Sequence, residues 1–297
     1  MFYDARQSIE DVNSFSPSAG KPARFVALLQ HYNYTDYGPH HRGPVIPVTK
    51  DDLYRVHSKT YVDEVFSGVQ NNGFETRDPR VPEACLWTSG SLLASARQAL
   101  KYPESPQCSP TSGFHHAGHA WGGGYCTFNG LMVTAAKLLS ENPGLKIGIL
   151  DCDMHYGDGT DDILKRRPVL AKSIIHRTQG KHFHGDDPET EALEFEFWLD
   201  YSIKELNEFG CDLVLYQAGA DPHIKDPLGG FLTSDQLAAR DAAVFNGING
   251  AIAWCLAGGY QEQTGDHLTS DPVLQVHYRT ERESRKSYKL RLAKIKG

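Results

Sequence analysis

The sequence predicts an α/β protein: one domain over 1–297, a mostly parallel sheet flanked by helices, and a site at the carboxyl ends of the strands. Three observations predict it. Short apolar runs rich in branched aliphatics, such as Ile147-Gly148-Ile149-Leu150, alternate with longer helical patterns. No hairpin signal joins neighbouring runs, so the strands are expected to run parallel through helical crossovers. Ionisable or glycine-containing strings stand directly after three of those runs, which is where open α/β sheets place their ligands.

The elements follow in chain order. Ser, Pro and Gly cluster over 14–21, and Phe25, Leu28 and Leu29 then mark a first helix. Helical patterns recur at about 59–69 and 84–101. A polar, glycine-rich stretch over 105–124 carries the pair His115-His116. Leu131 to Leu139 reads as a helix leading into a strand at 146–151. Asp151, Asp153 and His155 alternate with Cys152 and Met154, so a continuing strand puts all three on one face. A short helix is expected at 160–166 and a strand at 172–176, through Ile174 and Ile175. The helix at about 189–208 is expected to bury Leu193, Phe197 and Leu206. A strand at 212–217, a helix at 234–247 and a strand at 251–256 complete the alternation. The basic stretch 279–297 reads as a solvated terminal helix, and no linker divides the chain.

Composition narrows the class. A chain of 297 residues at 40% apolar content buries a substantial core. Its formal charge of -7 argues against bulk binding to nucleic acid or to a membrane surface. No run of 18 apolar residues and no secretory signal in 1–30 is seen. Six cysteines without CxxC spacing suit a reducing compartment, so a cytoplasmic enzyme is expected. Oligomeric state is not legible.

The chemistry-bearing residues converge. A strand that delivers Asp151, Asp153, His155 and Asp158 to one point is costly unless a cation or catalysis needs them. The strand at 212–217 leads into Ala218-Gly219-Ala220-Asp221, and the strand at 251–256 into Ala257-Gly258-Gly259-Tyr260. Asp221 and Tyr260 are therefore expected at the same end of the sheet. Asp153, His155 and Asp221 form a set of two carboxylates and one imidazole, the pattern of a catalytic zinc site with an open position. Ferrous iron or cobalt suits the same donors. His115 and His116 suit proton transfer, with Asp151 and Asp158 available to orient them.

At this point the chain resembles the zinc-dependent histone deacetylase and acetylpolyamine amidohydrolase family, which shares the arginase/deacetylase fold. The resemblance rests on His115-His116-Ala117-Gly118-His119, Gly123-Gly124-Tyr125-Cys126-Thr127-Phe128-Asn129 and the string from Asp151 to Thr160. It continues through Ala218-Gly219-Ala220-Asp221, Asp226-Pro227-Leu228-Gly229-Gly230 and Gly258-Gly259-Tyr260. Weaker likeness extends to Val56-His57-Ser58-Lys59-Thr60-Tyr61-Val62 and to Asp271 through His277. The resemblance implies Zn²⁺ on Asp153, His155 and Asp221. It implies His116, oriented by Asp158, as general base and then acid, and His115, paired with Asp151, as an electrostatic partner. Tyr260 is implied as oxyanion donor, and Gly124 and Tyr125 as substrate contacts. A potassium ion near Asp151 and Asp153 is a further family feature.

The implied substrate is an acetylated lysine peptide or a small acetylated amine. An arginase-like ureohydrolase and a non-catalytic binder of acylated ligands are the rival classes. Three departures stand out. Ser16-Pro17-Ser18-Ala19-Gly20-Lys21-Pro22 replaces the family's His-Pro-Glu entry. The stretch 177–188, with His182 and His184, is short, which should open one wall of the pocket; the two histidines read as loop residues or a second weak metal site. Residue 174, where a serine often helps hold the potassium, is Ile. Pro79-Arg80-Val81-Pro82 resembles the polyamine enzymes, but Glu83 falls out of register with their cation-recognising acid.

Overall fold

The computed structural model describes residues 1–12, 16–33, 43–262 and 267–296. Its centre is a five-stranded sheet of β1 (Gln107–Ser109), β2 (Ile147–Asp151), β3 (Ile174–Thr178), β4 (Leu213–Gln217) and β5 (Ala251–Cys255). The order across the sheet is β1-β5-β4-β2-β3, and every pairing is parallel. The strands are buried on both faces, which is why they read as continuous apolar runs.

Ten helices surround the sheet among the described residues. They are α1 (Lys21–His31), α2 (Lys50–Tyr54), α3 (Lys59–Phe66), α4 (Arg80–Lys101), α5 (Gly130–Glu141), α6 (Asp158–Arg166), α7 (Pro168–Ala171), α8 (Pro188–Phe209), α9 (Ser234–Gly247) and α10 (Pro272–Lys296). One face of the sheet, through Leu150, Val214, Tyr216 and Trp254, packs on residues of α1, α8, α9 and α10. The other, through Ile149, Leu215 and Ala253, packs on α3, α4, α5 and α6.

From β2 the chain crosses to β3 on one side, whereas from β4 it crosses to β5 on the other. The ends of β2 and β4 therefore flank a switch point, where the diverging connections leave a crevice. Register sharpens the placement. Asp151 pairs with both Thr178 and Gln217, and Gln217 with Cys255, so the three exits from β2, β4 and β5 lie level.

Several expectations need correction. β1 falls inside the polar 105–124 stretch, where a three-residue Gln-Cys-Ser edge strand carries no apolar signature. α4 begins at Arg80 rather than 84, and the short α2 was not foreseen. β2 stops at Asp151, so Asp153 and His155 are set by the following loop and not by strand alternation. The helix α8 is present, but Leu193 is 63% and Phe197 78% exposed. Its sequence carries two apolar stripes, and the one that docks is Ala192, Phe195, Leu199, Ile203 and Leu206. Phe195 wins because it meets Phe183 and Phe231, at ring-centroid distances of 5.8 and 5.6 Å. The basic tail is not simply solvated: it continues α10, with Thr280, Glu281, Ser284 and Ser287 buried.

Candidate active site

Asp153, His155 and Asp221 come together at the β2 and β4 exits, and their ligand atoms lie within 4.8 Å of one another. Glycines make the approach possible. A Cβ on Gly219 would sit 2.7 Å from Asp153 Cα, and one on Gly258 2.2 Å from Asp221 Oδ2. His155 Nδ1 lies 3.2 Å from Asp153 Oδ1 and 3.1 Å from Asp221 Oδ2. The Gly258 amide donates to Asp153 Oδ2 at 2.8 Å.

The electrostatics of the trio call for a cation. Burial, together with the neighbouring Asp153, pushes Asp221 up to about 7, while Asp153 stays well below the usual carboxylate range. Burial opposes a charge on His155, yet Asp153 and Asp221 outweigh it and raise the imidazole to about 11. Asp221 Oδ1 is buried with no hydrogen-bond partner among the described residues. An orphaned carboxylate oxygen beside a second carboxylate and an imidazole fits a divalent metal of the zinc type.

The paired histidines stand beside the trio. His115 Nδ1 is 2.8 Å from Asp151 Oδ2, and its Nε2 is 3.6 Å from Asp153 Oδ1. Burial opposes its charge, but Asp151 and Asp153 raise it to about 9. His116 Nδ1 is 2.7 Å from Asp158 Oδ1, at the start of α6. The two rings are 4.1 Å apart between centroids, and His116 lies 6.0 Å from His155. Gly124 has φ +51, and a Cβ there would meet His116 Cδ2 at 2.5 Å, so glycine lets the loop close over the imidazole. Tyr260 lies 6.2 Å from His155 and Tyr125 5.8 Å from Tyr260, by ring centroids. All ten expected site residues thus fall in one neighbourhood.

Asp151 is crowded by donors. Besides His115, Gln217 Nε2 donates to Oδ1 at 3.1 Å, the Asp153 amide at 3.2 Å, and the Thr178 hydroxyl to Oδ2 at 3.4 Å. The Thr178 hydroxyl itself accepts from the Gly157 amide. Ile174 is buried among apolar side chains. Gln217 Oε1 is buried without a hydrogen-bond partner among the described residues, and Ile174 brings no hydroxyl to the potassium expected near Asp151 and Asp153.

Several contributors were missed in the sequence. Phe74 packs on Tyr125 at 5.8 Å. Asp226, quoted only as part of a motif, accepts the Tyr260 amide through Oδ2 at 2.8 Å. Arg240, wholly buried on α9, donates through Nη1 to the carbonyls of Gly219, at 2.8 Å, and Cys152, at 3.2 Å, behind the two loops that carry Asp221 and Asp153. No local pattern marks it, because its partners are 21 and 88 residues away. The short wall is built by the turn Gln179–Lys181 and the segment up to α8. There Glu191 accepts four successive amides, from His184 to Asp187. His182 leans on Trp198, and neither it nor His184 joins a metal-ligand trio among the described residues.

A wholly parallel sheet with two acids, an imidazole and a histidine pair at the strand exits agrees with the arginase/deacetylase fold that the sequence resembles. The chain belongs to the histone deacetylase family: the model of the histone deacetylase domain matches residues 18–194. That span ends before Asp221 and Tyr260. The chain is 32% identical over 149 residues to an acetylpolyamine amidohydrolase of Mycoplana ramosa, covering 43% of each protein. It is 30% identical over 175 residues to histone deacetylase 5 of Arabidopsis thaliana, covering 49% of this chain and 26% of that protein. The fold matches an acetylpolyamine aminohydrolase from Burkholderia pseudomallei with a TM-score of 0.68 and 16% identity, over 95% of this chain and 97% of the other.

Proposed function

We propose that this protein is a zinc-dependent amidohydrolase that removes an acetyl group from acetyl-lysine of a peptide or protein. The observation that carries the reading is the His116–Asp158 pair standing beside the Asp153, His155 and Asp221 trio, with Tyr260 close to the His155 imidazole. Asp153, His155 and Asp221 would hold a divalent ion, which when bound would supply Lewis acidity to an amide carbonyl and to a water.

The protein's own groups do the rest. His116 has Nδ1 committed to Asp158, which leaves Nε2 to take a proton from the attacking water and to return it to the leaving amine. His115 stays bonded to Asp151 and stabilises negative charge without exchanging its proton. Tyr260 donates its hydroxyl to the oxygen that gains charge as the carbonyl becomes tetrahedral. Burial holds that hydroxyl protonated, well above its ordinary range, as a donor must be. Tyr125 and Phe74 supply an aromatic wall for the aliphatic stem of the substrate.

Hydrolysis of an acetylated polyamine is the second reading, favoured by the likeness to the Mycoplana ramosa enzyme. Glu83, out of register with the cation-recognising acid of the polyamine enzymes, is exposed on α4 and lines a groove with Arg6 and Trp87, which ranks this reading second. No helix among the described residues is long and apolar enough to cross a membrane. Six free thiols suit a cytoplasmic setting, and we take the whole chain as one catalytic domain.

Amine release from acylated lysine peptides and acetylpolyamines tests the reading, run with zinc-loaded protein with and without a hydroxamate. Hydroxamate-sensitive release from the peptides is expected. Release from acetylpolyamines alone selects the second reading, and silence across the panel with zinc bound overturns both.

A further inference from the structure

The Lys21-Pro22 pair opens α1 far from the strand exits in sequence, yet its amine ends beneath them. Lys21 is 5% exposed, and its Nζ donates to the carbonyl of Ala257 at 2.8 Å. The turn it touches is an unusual one. Ala257 has φ +55, a left-handed conformation that non-glycine residues rarely hold without outside support, and Gly259 follows at φ +137. Between them the Gly258 amide points at Asp153, and its carbonyl accepts the Ala220 amide. Two residues on, the Tyr260 amide is held by Asp226.

We propose that Lys21 is a positioning residue of this active site, whose buried ammonium pins the Ala257 carbonyl and so fixes the turn that aims Gly258 at Asp153 and Tyr260 at the substrate. The proposal rests on the amidohydrolase reading and adds to it a residue that touches no substrate. A lone ammonium is costly to bury, and the neighbourhood compensates it. Burial pulls Lys21 down to about 8, against the attraction of Asp221, Asp153, Asp226 and Asp271. Lys21 and Tyr260 also line one cavity, together with Gly259 and Asp271. Arg240 does for the Cys152 and Gly219 carbonyls what Lys21 does for Ala257. Each of the three strand exits that carry the site is thereby tied from behind to a buried cation.

The test is a double-mutant cycle of Lys21→Met and Tyr260→Phe on the zinc-loaded protein, with hydrogen exchange of the 256–260 backbone as a second readout. Lys21→Met is expected to lower kcat tenfold or more, leave KM within twofold, and speed exchange over 256–260. Adding Tyr260→Phe should cost little beyond the larger single effect, because Lys21 acts through the turn that carries Tyr260. Lys21→Arg, which keeps the charge and the donor, should restore most of the loss. Unchanged exchange and unchanged kcat in Lys21→Met, or losses that multiply in the double variant, overturn the proposal. If the wild-type protein releases no amine from any substrate, the amidohydrolase reading fails, and exchange alone decides the role of Lys21. Should Lys21→Met not fold, Lys21→Gln, which keeps an N–H donor without the charge, replaces it in the cycle.

Discussion

Tyr260 and Asp221 test the chemistry one side chain at a time. Tyr260→Phe removes a single donor from the pocket and should lower turnover by about 10²–10³ with the metal retained, as loss of one oxyanion donor does. Asp221→Ala should lose the metal itself, read by elemental analysis after dialysis. Full turnover in the first variant, or a full metal complement in the second, would remove those roles.

His57 makes a prediction about pH. Its ring is fully buried, donating from Nδ1 to the Gly118 carbonyl and accepting the Asn129 amide at Nε2. Burial pushes it down to about 4, from 6.5 in the unfolded chain. Because the folded value is the lower one, its contribution is complete above pH 6.5 and is lost as pH falls from 6.5 towards 4. The slope is at most about 1.4 kcal/mol per pH unit. Urea unfolding at pH 7 and pH 5 should show the loss, and His57→Gln should flatten it. At this scale the ligands and paired histidines were legible because consecutive polar residues beside apolar runs are costly and therefore conspicuous. Lys21, Arg240 and Gln217 were not: each is an ordinary residue in its local sequence and gains its role from a distant partner.

Among the elements, α8 separates what periodicity can and cannot give. Its extent was readable, but two apolar stripes compete, and the tertiary partners Phe183 and Phe231, both packed on Phe195, select between them. Phe195→Ala should therefore cost about 3–5 kcal/mol of stability. Phe197→Ala should stay within about 0.5 kcal/mol in the same denaturant titration. Equal costs would mean that the exposed stripe is covered in solution. β1 escaped notice for a different reason. An edge strand of three polar or small residues has no alternation to display, and it exists because β5 offers it a free edge. The end of β2 at Asp151 was legible, whereas the shared strand face for Asp153 and His155 required a continuing strand, and the chain leaves the sheet after Asp151 instead.

Across the whole molecule, the metal trio should couple occupancy to stability. Asp153 and Asp221 face each other with an unpartnered oxygen between the two strand exits, so a bound cation relieves their repulsion. An ion at 100 times its dissociation constant adds about 2.7 kcal/mol through binding to the folded state alone. Chelated protein should melt several degrees below the zinc-loaded form, and identical melting curves would argue that the trio holds no metal. The sheet order and its two-sided cover were foreseen only in class, since strand order depends on pairings between segments 27 to 146 residues apart that no local pattern records.

The position of β4 between β2 and β5 has a consequence for biosynthesis. A chain made only as far as Leu215 already contains both histidines and His155, yet it has no Asp221 and no complete trio. β1 must wait longer still, because its neighbour β5 begins 142 residues after β1 ends. A metal held by the trio would therefore be acquired only after Asp221 has been made, and a ribosome-bound fragment that stops short of β4 lacks the complete set of donors.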